Sequence, residues 1–283
     1  MGLTYAICSL GFAGVNDVVF RKYGQKSRPV GILLALIGIV WASFFFTMAA
    51  VKGRLEIDLA TVVMGSVAGI FSASANILLI EGMKRTGASV ASTIYRLNLI
   101  FVAILAFVLL CEPIGLFKLG GLVCAIAAVV LFSMPEDRRS RSNIALKFIM
   151  ILLLASFLRA CMGISYKLAS TYGINDEIFL AVNGLCWIVS GALYTFLRER
   201  DIGSNRSVLK YSLISGLLIC GIVFFLKLAV NCMDASVAVT VSQFSFLVTA
   251  PLAVFFMNER ITVKMALGMS LSVICIIIFS FAK

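Results

Sequence analysis

Several side chains that water normally claims lie inside apolar runs of this chain, where they could grip a charged solute. Arg96 falls about eight residues into one such run, about 12 Å along a helix, too deep for its guanidinium to reach an aqueous surface with ease. With Tyr95 and Asn98 beside it, Arg96 could hold a carboxylate or phosphate through paired N–H donors; the competing reading is a structural ion pair with Asp17 or Glu81. Arg159 shares a later run with Ser165, Tyr166 and Lys167, and lies deeper in it than Lys167, which suits the interface. Lys227 stands about one turn from the end of its run, so its stem could instead carry the ammonium outward. Asp17, next to Asn16, is the candidate for a titrating group, or else a structural partner of Arg159 or Lys167.

Hydroxyls and amides extend this set. Ser242, Ser245 and Thr249 recur at i, i+3 and i+7 on one side of a helix, next to Gln243. Such hydroxyls often bond only their own backbone or a neighbouring helix. Gly69, Ala73 and Asn76 form a small-residue stripe whose ordinary use is close helix packing, with Asn76 as its candidate solute contact. The candidate substrate-binding residues are therefore Asn16, Asp17, Asn76, Tyr95, Arg96, Asn98, Arg159, Tyr166, Lys227, Gln243 and Ser245; Glu112 and Glu259, just outside their runs, suit gating or loop anchoring. Catalysis is not expected. The chain has no His, which removes His–metal sites and His-based acid–base chemistry. No cofactor or metal is expected, and no Gly-rich loop ending in Lys-Ser/Thr marks an ATP site.

The elements that must position these groups follow from composition. Of 283 residues 61% are hydrophobic and 13% charged, about half the charged share of a soluble domain, so lipid must be the outer solvent. Spans of about 20 residues fit a hydrocarbon core of about 30 Å, and the need to pair every backbone group internally makes them helices. The runs do not alternate as barrel strands would. Punctuation by charges and turn residues predicts spans near 2–21, 29–51, 59–82, 88–110 and 114–134, then 145–170, 177–197, 208–231, 235–257 and 262–282. The first is read as a retained span, since no cleavage pattern follows it. The net charge of +11 resides mainly in the connections, where it sets topology and meets anionic lipid, with no nucleic acid implied. The eight Cys show no C-x-x-C pair and read as packing residues.

The polar connection Pro135–Asn143 divides two similar halves, 1–134 and 145–283. Gly87-Ala-Ser-Val-Ala-Ser-Thr93 is echoed by Asp234-Ala-Ser-Val-Ala-Val-Thr240; in the same register Gly69 falls on Gly216, Arg96 on Gln243, Glu112 on Glu259, Gly121 on Gly268 and Phe132 on Phe279. With small shifts Tyr23-Gly24 meets Tyr172-Gly173 and Trp41 meets Trp187; the depth of the tryptophans favours interhelical packing. Five spans is an odd number, so the second half must enter the membrane inverted. Such repeats place a solute site at their interface, with alternating access by rocking.

Ten spans in two five-helix repeats, Gly14-Val-Asn16 in the first span, Ala88-Ser-Val-Ala91 opening the fourth, and the acidic residues of Cys111-Glu112-Pro113 and Asn258-Glu259-Arg260 resemble the EamA-like branch of the drug/metabolite transporter superfamily. The chain departs from the family's usual pattern where Cys111 and Asn258 precede the glutamates, and where span four lacks a proline while span nine keeps Pro251. The resemblance implies an all-α membrane protein with a central cavity lined mainly by the third, fourth, eighth and ninth helices, the first and sixth contributing. It also implies a carrier of amino acids, other metabolites, drugs or sugar-phosphate conjugates in the cell membrane.

The expected function is secondary transport of a small polar metabolite, such as an amino acid or organic anion, uncoupled or coupled to protons, an ion or a counter-solute; a monomer is compatible with it. The alternatives are an exporter of lipophilic cations and, from another class, a membrane-embedded lipid-processing enzyme. Basic residues cluster in the connections after spans one, three, five, seven and nine. By the positive-inside rule this puts both termini outside, whereas the family resemblance puts them inside.

Overall fold

The computed structural model describes residues 1–24, 28–86, 91, 94–113, 115–133, 146–199, 206–257 and 261–281. The central connection and Glu259 lie outside these residues. Eight helices among them are long and apolar enough to cross a membrane: α1 (Gly2–Gly24), α2 (Val30–Val51), α3 (Leu59–Thr86), α6 (Leu146–Thr171), α7 (Asp176–Glu199), α8 (Arg206–Cys232), α9 (Ala235–Phe256) and α10 (Val263–Ser280). Two shorter apolar helices, α4 (Ile94–Leu110) and α5 (Leu116–Phe132), complete ten. The spans start and end close to the expected positions, except that the expected start of the fourth, at 88–90, lies outside the described residues. Met1 and the connections at 52–58, 111–113, 172–175 and 233–234 share one membrane face, here the near face.

Large apolar side chains such as Phe44, Ile70, Phe107, Phe157, Val189 and Ile277 are exposed on the outside, the arrangement that lipid requires and water penalises. Inside, α2 packs on α7 and α8, α3 on α6 and α7, α1 on α8 and α9, α4 on α6 and α9, and α5 on α10. Each helix thus leans chiefly on helices from the other end of the chain. Small residues let the backbones close up: a Cβ on Gly38 would lie 2.7 Å from the Ile188 nitrogen, and one on Gly184 2.7 Å from the Ala42 nitrogen.

Some contacts are reciprocal. A Cβ on Gly121 would strike the Phe279 ring, and one on Gly268 would meet Phe132 Cβ at 2.9 Å. In the same way Gly69 abuts Cys186 and Gly216 abuts Val40. Trp41 and Trp187 touch each other, ring centroids 5.5 Å apart.

Helix ends show how long-range contacts satisfy the backbone. Asn175 caps α7 locally, accepting from the Glu177 and Ile178 N–H groups at 3.1 and 3.2 Å. The caps of α2 and α9 come from far away. Glu199 accepts from Val30 and Gly31 N–H at 2.7 and 2.9 Å. Glu112 accepts from Ala235 N–H at 2.6 Å, from Ser236 N–H at 3.3 Å and from Ser236 Oγ at 2.6 Å. Lys118 Nζ lies 3.0 Å from Glu112 Oε2 and 3.0 Å from Asp234 Oδ2, and donates to the Pro113 carbonyl at 3.2 Å. Burial works against the charge on Glu112, but Ser236, Lys118 and the Ala235 N–H hold its carboxyl below the usual range.

Candidate functional site

Two of the ten helices are broken, α9 near mid-span and α4 at the fourth of its described residues, and polar side chains gather at the breaks. In α9 a 3-10 turn, Gln243–Ser245, interrupts the helix, with Phe244 at φ −80°, ψ 22°. In α4 the helix starts at Ile94 and turns at Leu97, φ −67°, ψ 0°, before resuming at Asn98. Leu97 and Phe244 are equivalent positions in the register that joins Arg96 to Gln243. Discontinuous helices free backbone groups for other partners. Here Arg96 Nη1 donates to the Gln243 carbonyl, and Ser156 Oγ donates to the Tyr95 carbonyl at 3.3 Å.

Arg96 is the hub of a closed network. Its Nη2 lies 3.2 Å from Asp17 Oδ2 and 3.0 Å from Ser245 Oγ, and its guanidinium stacks over Phe246 at 5.4 Å. Ser245 and Thr249 hydroxyls donate to the same Asp17 oxygen at 2.8 and 3.1 Å. The ion pair with Asp17 is therefore present, and Asp17 takes Arg96 as its partner where Arg159 or Lys167 was the expected structural alternative. Lys167 instead bonds the Val230 and Met233 carbonyls at 2.6 and 2.9 Å, at the end of α8.

Arg159 is different. Among the described residues its contact is Nη1 to Met162 Sδ at 3.4 Å, with no carboxylate. It falls on the buried side of α6 with Leu152, Ala155, Ser156, Gly163 and Tyr166, whereas Met150, Leu154 and Phe157 face outward on the opposite side. The remaining accessibility of Arg159 is consequently internal. Two phenols feel its charge, Tyr95, which also feels Arg96 and Asp17, and Tyr166. Both hydroxyls are buried without a hydrogen-bond partner among the described residues, and so are both amide atoms of Asn98. Buried polar atoms are ordinarily paired, so the two phenols near Arg159, with Asn98 three residues along the chain from Tyr95, lack partners that a polar solute could supply.

The other expected site residues are placed as follows. Asn16 is buried and accepts from Ser215 Oγ at 2.5 Å. Asn76 turns its amide back on the Ser72 carbonyl at 2.8 Å, so it serves its own helix. Ser72 Oγ in turn receives the Trp187 N–H at 3.0 Å. Gln243 contributes its carbonyl. Lys227 does not reach outward: at 1% exposure its ammonium sits 3.0 Å from Asp176 Oδ1 and donates to the Tyr166 carbonyl at 2.8 Å. It borders a cavity of about 520 Å³ on the near face, floored by Phe45, Met48, Leu180 and Phe224 and rimmed by Lys52 and Glu177. Tyr166 links this cavity to the Arg159 region, its carbonyl bonded to Lys227 and its ring against Phe179 at 5.1 Å. Sequence reasoning passed over Met162 and Asn183; Asn183 carries an unpaired buried amide, and a lone Asn amid apolar residues was the available signal.

Comparisons with known proteins agree with this architecture. No curated protein matches the chain. Among solved structures 29 chains match, and one crystal structure superposes with a TM-score of 0.81 at 12% identity, over 99% of this chain and 96% of its own, which shows a shared fold. Residues 1–134 match the model of the EamA-like transporter family. A transporter family implies a small-molecule solute and a lipid surround. The chain is an all-α, multi-pass membrane protein whose residues 1–134 match the EamA-like family of the drug/metabolite transporter superfamily.

Proposed function

We propose that this protein is a secondary transporter of the cell membrane that carries a small anionic or zwitterionic metabolite, with Arg159 as the anchor for its carboxylate. In this reading residues 1–134 and 145–283 are inverted halves, and the reciprocal contacts of Gly121 with Phe279 and Gly268 with Phe132 support it. So do the breaks at Leu97 and Phe244, since paired discontinuous helices are where such carriers bind solute.

The observation that carries the proposal is that Arg159 has no carboxylate among the described residues and lies near the unpaired Tyr95 and Tyr166 phenols. A carboxylate there would receive paired guanidinium N–H groups and give the phenols an acceptor. The Arg96–Asp17 pair stands next to this space and shares Tyr95 with it. The near-face cavity supports an approach from that side, since Lys227 on its wall bonds the Tyr166 carbonyl.

The test is thermal stabilisation of purified protein by amino acids, organic anions, sugar phosphates and quaternary amines, because a ligand that binds only the folded state raises its stability. Carboxylates are expected to stabilise the wild type and not Arg159→Gln. Stabilisation by quaternary amines alone would favour export of lipophilic cations and sink the proposal.

A further inference from the structure

Among the described residues, three inward-facing cations have carboxylate partners, and Lys167 has the carbonyls at the end of α8. Arg96 has Asp17, Lys118 has Glu112 and Asp234, and Lys227 has Asp176. Arg159, on the buried side of α6, has the Met162 sulfur and no carboxylate among the described residues. Asp17 cannot repair this by moving, since leaving Arg96 for Arg159 only transfers the bare charge. Arg96, Arg159 and Asp17 together carry one net positive charge whichever pairing is adopted.

A lone guanidinium is tolerable while water reaches it. Alternating access, however, passes through a state closed on both sides, and there an uncompensated charge is costly. A bound anion cancels it. We infer that this carrier works by obligatory exchange: it crosses between its two open states quickly when Arg159 holds an anion and slowly when empty, so one anion leaves for each that enters. The inference rests on the reading of Arg159 as the solute's anchor.

The experiment uses the full chain in proteoliposomes, with labelled lactate, glutamate and malate as probes. One set of vesicles is loaded with the same unlabelled carboxylate; the other contains only a bulky sulfonate buffer. Uptake is expected to be at least about tenfold faster into the loaded vesicles, a barrier difference of about 1.4 kcal/mol. Equal uptake into both sets overturns the inference. Met162→Glu supplies the missing counter-charge one helical turn from Arg159. It is expected to raise entry into unloaded vesicles toward the loaded rate while weakening binding; if it does not fold, the wild-type comparison decides alone. The two readings separate cleanly. Carboxylate stabilisation that survives Arg159→Gln refutes the anchor. Stabilisation lost in Arg159→Gln, together with equal uptake into both vesicle sets, refutes exchange alone. No binding or uptake of any carboxylate refutes both.

Discussion

Replacing Glu112 by alanine removes the cap of α9 and one partner of a buried lysine in a single step. The Ala235 and Ser236 N–H groups lose their acceptor, and losing an N-cap costs about 1 kcal/mol. Lys118, with a side chain 5% exposed, keeps only Asp234 as a carboxylate partner. Orphaning a buried charge costs about 3–5 kcal/mol, but the surviving pair with Asp234 lowers this, and we take about 2. The sum is about 3 kcal/mol, equivalent to about 6–12 °C in Tm at about 2–4 °C per kcal/mol. The eight free cysteines, two of them buried at Cys220 and Cys275, suit a thiol-reactive fluorophore that reports unfolding in detergent. Glu112→Gln keeps an acceptor for the α9 N–H groups and loses the charge, so about half the effect is expected. Adding Lys118→Met to Glu112→Gln should recover part of it, because removing both members of a buried pair is milder than removing one. A Glu112→Ala protein within about 2 °C of wild type, less than about 1 kcal/mol, would refute the cap, and a double variant as unstable as the two single losses added would refute the pair.

Four further outcomes follow. Because the Glu112 carboxyl is held below its usual range, its contribution is full above the unfolded value of about 4.3 and fades as pH falls further; a thermal-shift series from pH 7 to about 3 should show Glu112→Gln converging on wild type at the acid end. Cys111 adopts φ 51° at the end of α4, a left-handed conformation that costs about 1–2 kcal/mol without glycine, so Cys111→Gly should raise Tm. Trp187→Phe removes a hydrogen bond to Ser72 and should lose about 1 kcal/mol more than Trp41→Phe, since Trp41 Nε1 has no partner among the described residues. Gly268→Ala should destabilise by about 1–3 kcal/mol through overpacking, as its Cβ meets the Phe132 backbone nitrogen at 2.7 Å; Gly11→Ala, with nothing within 4 Å, is the tolerated control.

The spans were readable because lipid makes apolar length the dominant signal, and even the contact of Trp41 with Trp187 follows from their matched depth. The breaks were not. Proline is the usual marker of a helix fault, yet the α9 fault falls at Gln243–Ser245, ahead of Pro251. Its cause is tertiary: Arg96 draws off the Gln243 carbonyl. For the same reason the α9 cap escaped notice. Asp234 occupies the capping position without making the bond, and Glu112, distant in sequence, makes it. Arg96 and Arg159 both read as buried cations with possible partners, and only three-dimensional packing separates the paired one from the lone one.

That lone cation bears on how the chain enters the membrane at all. When α4 is inserted, its Arg96 can meet Asp17, made 79 residues earlier and already in the bilayer. No carboxylate waits for Arg159 among the described residues. An arginine at mid-helix costs the insertion machinery about 2.5–3.5 kcal/mol, and α6 must meet that cost within its own length. The unbroken stretch Phe148-Ile-Met-Ile-Leu-Leu-Leu154 just before it, at about 0.3–0.6 kcal/mol for each Leu, Ile or Phe, is of the right size. Polar substitutions there should reduce the amount of protein in the membrane before they touch the stability of whatever has been inserted.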